Sequence, residues 1–333
     1  MMAVIYVTEQ GAVLTKKSGR LIVSTGGSVQ ADVPLMHVDQ IVAYGNVHLT
    51  TPVITHCFQE GIDVCFLSSC GTYRGRLQIG TGRDVDLRRR QYERCGAPAF
   101  ALGVAQAVIV GKIQNQIAFW HRRVREGNPQ LNDALLRQKA LLEKARSAST
   151  IDALRGFEGA SAKLHFQVFG KALRQDLPYS GRRERPATDP VNAMLNLGYT
   201  LLYNNIHAAL AIAGLDPYLG CLHQVTPGHA ALASDLVEEF RAVVVDTQLV
   251  MLVNHKEVTA ADFRRNTAGE TQFNPNALRR FLARYNQRLD TPTLYTPKQA
   301  RFTYRQIFEL QARHLARVIR GEETAYRPYR WDW

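Results

Sequence analysis

The sequence predicts an α+β protein in two parts, a small β-rich domain over residues 1–90 and a larger all-α domain over residues 91–333. Three observations predict it. Up to about residue 88 the apolar residues come in short runs broken by turn signals, and from Leu87 onward they recur three or four apart. Between the two regimes lies LRRRQYERCGAP, a charged stretch that closes on Gly-Ala-Pro as a linker would. With 333 residues, 46% of them apolar and 9% aromatic, the chain can fill two cores and is not a disordered one.

AVIYVT, AVLT, LIVS and VQADVPL read as strands, with Ser18-Gly19 and Gly26-Gly27 standing between β-branched runs as hairpin turns. PVITHCFQEG reads as one short helix, since Val53, Ile54, Cys57 and Phe58 fall at i, i+1, i+4 and i+5. It feeds a buried strand in residues 62–68, which forms a further hairpin with residues 76–80 across Gly71. Helices are predicted over 99–123, 131–148, 190–213, 229–251, 274–288 and 298–320, the first carrying Leu102, Gln106, Ile109, Ile113 and Ile117 on one side. The tail RPYRWDW is too short for a domain and either docks or dangles.

Lys and Arg number 41 against 29 Asp and Glu, a net charge of +12 that points to a polyanion, nucleic acid or an acidic membrane surface. Neither a secretory leader nor an apolar run of membrane-spanning length is present, so no membrane partner is expected. Cys57, Cys65, Cys70, Cys95 and Cys221 are scattered without CxxC spacing, which excludes a disulfide framework and a structural zinc site and suits a reducing cytoplasm. Cys57 and Cys65, set among apolar residues, read as core packing. Seven arginines lie between Arg74 and Arg94, and twelve basic residues against five acids lie in 279–333. Arg301, Arg305, Arg313, Arg317 and Arg320 make one basic face, either merely solvated or gripping phosphate with arginine's planar fork.

Three segments could carry chemistry. In LRGFEGASAKLHF, Glu158 lies between Gly156 and Gly159, costly residues in a helix, and is either open to close approach by a ligand or a surface glutamate in a turn between helices. In AIAGLDPYLGCLHQVTPGH, His223 is loop-borne after Gly220, while His229 reads as a helix-start residue. In ASDLVEEFRAVVVDTQLV, Ser234 or Asp235 could start a helix with Asp235, Glu238 and Arg241 at i, i+3 and i+6. Two carboxylates beside an apolar face invite a divalent cation, or else form an acidic first turn that complements the helix dipole. Two or three carboxylates with one imidazole suit Mg²⁺ or Mn²⁺ better than structural zinc, and with a basic surface the fitting substrate is a phosphodiester.

The order LRGFEG, GRRERPATDPVNAMLNLGYTLLYNNIHAAL, GLDPYLGCLH and DLVEEFR resembles the CRISPR-associated adaptation endonuclease and integrase, the Cas-one family, over nearly the whole chain. The resemblance implies a metal-dependent DNA endonuclease that captures spacers, acts as a homodimer through its β-rich start, and joins a small partner subunit, Cas-two, on double-stranded protospacer and repeat DNA. It places metal ligands at Glu158, His223 and Glu238, with Asp235 as an additional catalytic acid. It puts Arg241, Asn192 and Tyr203 beside DNA, and Arg182, Arg183 and Arg185 are candidates for holding phosphates. The sequence departs from the family at GHAALAS, between the histidine and the acidic helix, and in Leu-Val after Asp235. The rival expectation is a catalytically inactive DNA-binding scaffold of the same adaptation complex.

Overall fold

The computed structural model describes residues 3–68, 73–77, 85–174, 177–184 and 186–331. Arg185, Cys70 and Gly71, singled out above, lie outside the described residues. The chain divides into two compact units, Met1–Thr81 and Gly82–Trp333.

In the first unit the alternating runs become β1 (Ala3–Val7), β2 (Ala12–Lys17), β3 (Arg20–Thr25), β4 (Ser28–Pro34), β5 (Val38–Tyr44), β6 (Val47–Leu49), β7 (Asp63–Leu67) and β8 (Tyr73–Leu77), with helix α1 (Thr51–Glu60) between β6 and β7. They form two four-stranded sheets, ordered β4-β3-β2-β6 and β1-β5-β7-β8. Ser18 (φ 48°), Gly19 (φ 74°), Gly26 (φ 58°) and Gly27 (φ 82°) are all left-handed, the conformation a two-residue hairpin turn needs to follow strand twist. Strand β5 was not anticipated. It pairs in parallel with β1 on one side and β7 on the other, and Ile41 to Tyr44 are all buried, so it lacks the alternation that marks a half-exposed strand.

Leu14, Leu21, Val7, Ile41 and Val64 meet Val53 and Cys57 of α1 in one core. The apolar face of α1 is narrower than predicted, since Phe58 is 41% exposed. Burial pushes the Cys57 thiol up to about 11 and that of Cys65 to about 12, which leaves both as inert packing groups.

In the second unit the charged stretch expected as a linker is itself a helix, α2 (Val85–Cys95). Only Leu87 and Gln91 are buried on it, too few to make a visible apolar stripe, and Gln91 is bonded to the backbone of Asp216 and Leu219. Then come α3 (Pro98–Arg125), α4 (Asn132–Arg146), α5 (Ile151–Phe169) and α6 (Pro190–Ile212), with Thr150 and Asp189 capping the last two. The predicted helix 229–251 is in fact α7 (Ala231–Val237), a π-helical turn over Arg241–Asp246, and α8 (Thr247–Asn254). Helices α9 (Pro275–Asp290) and α10 (Tyr304–Arg320) follow, with two short antiparallel ribbons, Phe263–Arg265 with Thr271–Phe273 and Thr293–Tyr295 with Ala300–Phe302. Arg301 therefore sits on a strand, because the Thr303–Gln306 capping box starts α10 after it. Of the proposed basic face, Arg305 is paired with Asp290 at 2.8 Å and Arg317 with Glu323 at 2.6 Å. Among the described residues no single helix is long and apolar enough to cross a membrane.

The tail docks. Glu239, fully buried, accepts hydrogen bonds from the Tyr326 hydroxyl (2.7 Å), the Tyr329 amide (2.7 Å) and Gln311 (3.1 Å), while Asn115 of α3 takes the Tyr329 carbonyl (2.9 Å) and the Trp331 amide (2.9 Å). Gly111 is required there, since a Cβ would stand 2.5 Å from the Pro328 side chain. Burial pushes the Glu239 carboxyl up from 4.5 to about 7, against the pull of those three hydrogen bonds. A carboxyl raised on folding binds its proton in the folded chain first, so its contribution is most favourable below about 4.5 and declines as pH rises to about 7. Glu239→Gln should accordingly gain on the wild type in thermal unfolding as the buffer moves from pH 5 to pH 8.

Candidate active site

Glu158 stands in the middle of α5, not in a turn between helices. Gly156 and Gly159 lower the helix propensity of that segment, but Thr150 caps it and Leu154, Ser161, His165 and Phe169 bury one side. An added Cβ at either glycine would meet no atom within 4 Å, so packing within the protein does not demand them.

Glu158 shares a cation with Glu238. Lys112 of α3 is ion-paired with Glu158 Oε1 and lies 2.6 Å from Glu238 Oε2, a charge contact without hydrogen-bond geometry. The side chains of Lys112 and Glu238 are only 6% and 5% exposed, against 28% for Glu158. Arg241, at the start of the π-helical turn, reaches Glu238 Oε1 at 3.0 Å and lies over the Tyr199 ring at 4.6 Å. Tyr199 donates to Asp246 (2.6 Å), whose other oxygen meets His165 Nε2 at 2.9 Å. The π turn thus brings both of its ends to Tyr199, Arg241 over the ring and Asp246 at the hydroxyl, and such turns recur near functional groups. Burial alone would raise the Glu238 carboxyl, but the charges of Arg241 and Lys112 bring it down to about 2. Burial would likewise lower Lys112, and the charges of the two glutamates outweigh it, so it keeps its proton more firmly than usual.

His223 arrives on the loop before α7, and Asp235 builds that loop. Its Oδ2 accepts from the amides of Cys221 (2.6 Å) and Leu222 (3.0 Å), and its Oδ1 from the His223 amide (2.9 Å) and ring Nδ1 (2.7 Å). A carboxylate can only accept, so Nδ1 carries the proton and the neutral ring keeps its lone pair on Nε2. Burial would lower the His223 pKa, but the hydrogen bond to Asp235 and the charges of Asp235 and Glu238 raise it. Arg155, one turn before Glu158 on α5, donates to the Leu222 carbonyl at 3.1 and 2.5 Å and ties the loop to the same helix. Gly220 must be glycine, for a Cβ would lie 2.7 Å from Asp235 Oδ2 and 2.8 Å from the Ala231 backbone. Gly220→Ala should cost about 1–3 kcal/mol, measured by urea unfolding, and lower activity by dislodging His223. His229 precedes α7 rather than starting it, and bonds Ser234 Oγ through Nε2 at 3.1 Å.

The expected DNA contacts divide. Asn192 is fully buried, bonded to Asp189, Gly181, Arg182 and Arg183, and so holds the 181–183 segment in place. The Tyr203 hydroxyl accepts from the Ala230 amide at 3.2 Å. Arg182 is bonded to Asn192 and Asn196 over the Tyr199 ring, whereas Arg183 is exposed.

Two carboxylates and an imidazole nitrogen with a free lone pair are the donor chemistry of a hard divalent ion, and the two carboxylates already hold one cation between them. That cation is the ammonium of Lys112, and among the described residues no three His, Cys, Asp or Glu side chains are grouped as for one metal ion. Sequence reasoning missed Lys112, Tyr199, His165 and Asp246. A lysine between Ile109 and Ile113, on the buried side of α3, was the available signal.

Residues 5–287 match the family described as CRISPR associated protein Cas1. Over 330 residues the chain is 37% identical to a Thermus thermophilus protein named CRISPR-associated endonuclease Cas1 3, covering 98% of this chain and 97% of that one. Its fold is similar to that of a casposase bound to integration product (TM-score 0.86, 23% identity, 98% of this chain and 93% of that one). It is equally similar to part of a Cas6-RT-Cas1–Cas2 complex (TM-score 0.86, 24% identity), covering 100% of this chain but only 36% of that larger one. Matched by that family over residues 5–287 and by a 37% identical relative along nearly its whole length, the chain belongs to the Cas1 family of CRISPR-associated proteins.

Proposed function

We propose that the chain is a metal-dependent DNA endonuclease and integrase of CRISPR spacer acquisition, with Glu158, His223 and Glu238 as ligands of Mg²⁺ or Mn²⁺. The observation that carries the reading is that Glu158 and Glu238, from separate helical segments, converge on one buried cation beside a histidine whose Nε2 is free. A bound divalent ion would polarise a phosphoryl oxygen and favour deprotonation of the attacking hydroxyl or water. Asp235 positions rather than reacts, because all four of its hydrogen bonds go to the His223 loop. Arg241 supplies fixed positive charge next to Glu238, and Arg183 grips backbone phosphate.

A protospacer 3′-hydroxyl attacks a phosphodiester of the repeat, forming one P–O bond and breaking another, with the displaced oxygen leaving as a new 3′-hydroxyl. Water in place of that hydroxyl gives hydrolysis. The proposed partners are double-stranded DNA and a small Cas-two subunit, a reading in keeping with the fold shared with a casposase bound to integration product and with part of a Cas6-RT-Cas1–Cas2 complex. We place the protein as a homodimer in the reducing cytoplasm, where its free thiols persist.

The test is integration of protospacer DNA into a repeat-bearing plasmid with Mn²⁺ or Mg²⁺ and the partner subunit. Full activity in both Glu158→Ala and His223→Ala would sink the site assignment. In the alternative, a catalytically inactive scaffold, Lys112 holds the two glutamates permanently, which predicts DNA binding without strand transfer or cleavage. Arg183→Ala should weaken binding for all sequences alike and reduce the slope of log affinity against log salt by about one. Gly159→Ala should stabilise the protein by roughly 0.5–1 kcal/mol in urea unfolding, since its methyl group meets open space on α5.

A further inference from the structure

We infer that Lys112 is a built-in counter-ion that keeps the Glu158–Glu238 pair assembled and is displaced when a divalent cation binds; this rests on the metal-ligand reading above. Two carboxylates brought together out of water repel unless a cation lies between them. Here two cations do so: Lys112 bridges both glutamates, and Arg241 takes the remaining oxygen of Glu238. The four groups sum to zero charge without any metal. A divalent ion held by the same carboxylates would bring two further positive charges against an ammonium that has almost no water around it.

Of the two resident cations, Lys112 is the one that moves. Arg241 is fixed by its stacking on Tyr199, and its guanidinium keeps Glu238 Oε1. Lys112 ends in a compact charge on a flexible four-carbon stem, able to keep its hydrogen bond to Glu158 while giving up its contact with Glu238.

Two measurements on DNA-free protein test this. Lysine acylation read by mass spectrometry should show Lys112 protected in EDTA and at least tenfold more reactive in saturating Mn²⁺. Calorimetry on Lys112→Met should show Mn²⁺ binding about tenfold tighter or more, with apo protein less stable than wild type and rescued by Mn²⁺; Lys112→Gln serves if the methionine variant does not fold. Continued protection of Lys112 while Mn²⁺ binds, or an unchanged or weaker Kd in the folded variant, overturns the inference and leaves the metal site standing. Failure of the wild type to bind Mn²⁺, or equal binding by Glu158→Gln, overturns the site reading and this inference with it.

Discussion

Glu158→Gln should reduce strand transfer and cleavage by about 10³-fold or more while leaving the fold within about 1 kcal/mol of wild type. The amide keeps the shape and loses the charge. Lys112 still has Glu238, and Glu158 is the more exposed of the two acids. Glu238→Gln removes the same charge from the centre of the cluster, and its outcome should differ. Arg241 would lose its carboxylate and Lys112 one of its two, in a buried place, at a cost of about 3–5 kcal/mol. Urea unfolding separates the two variants where an activity assay cannot. The difference should also fade in acid. A carboxyl held at about 2 stabilises the fold above its ordinary 4.5, and that share is lost as pH falls from about 4.5 towards 2.

Asp235→Asn should be nearly as damaging by another route. Asparagine offers one acceptor oxygen to four N–H groups that now share two, and turns an NH₂ towards donors. Two buried donors left unmatched cost about 1–3 kcal/mol each, and His223 loses the partner that fixes its tautomer. Activity should fall roughly 10²-fold. The distinguishing readout is unfolding in EDTA, where Asp235→Asn is destabilised as much as in Mn²⁺; loss of a group that acted only by binding metal would show only in Mn²⁺.

The acids and the histidine stood out in the sequence because their neighbours are unusual: a glutamate between glycines, a loop histidine after Gly220, and two acids among apolar residues in ASDLVEEFR, although α7 starts at Ala231 and carries no acid in its first turn. Helix α5 was not, since those same glycines argue against helix and only tertiary burial of Leu154 and His165 overrides them. Lys112 was hidden by the regularity of its surroundings, a run of isoleucines that reads as plain core. Tyr199, Asp246 and His165 lie up to 81 residues apart and meet only in the fold. The π turn adds one residue per turn within a continuous apolar segment, a change that periodicity over a few residues does not register.

The docked tail sets an order of events during synthesis. Glu239 adjoins the metal-ligand candidate Glu238, yet its carboxyl is matched by groups that lie 72 to 90 residues further on, Gln311, Tyr326 and Tyr329. A nascent chain that has emerged through Glu238 possesses every acid of the centre and none of the groups that lock the next residue in place. The acids of the candidate centre therefore leave the ribosome before residues 326–331, whose contacts with Asn115 of α3 and with Glu239 complete the packing beside them.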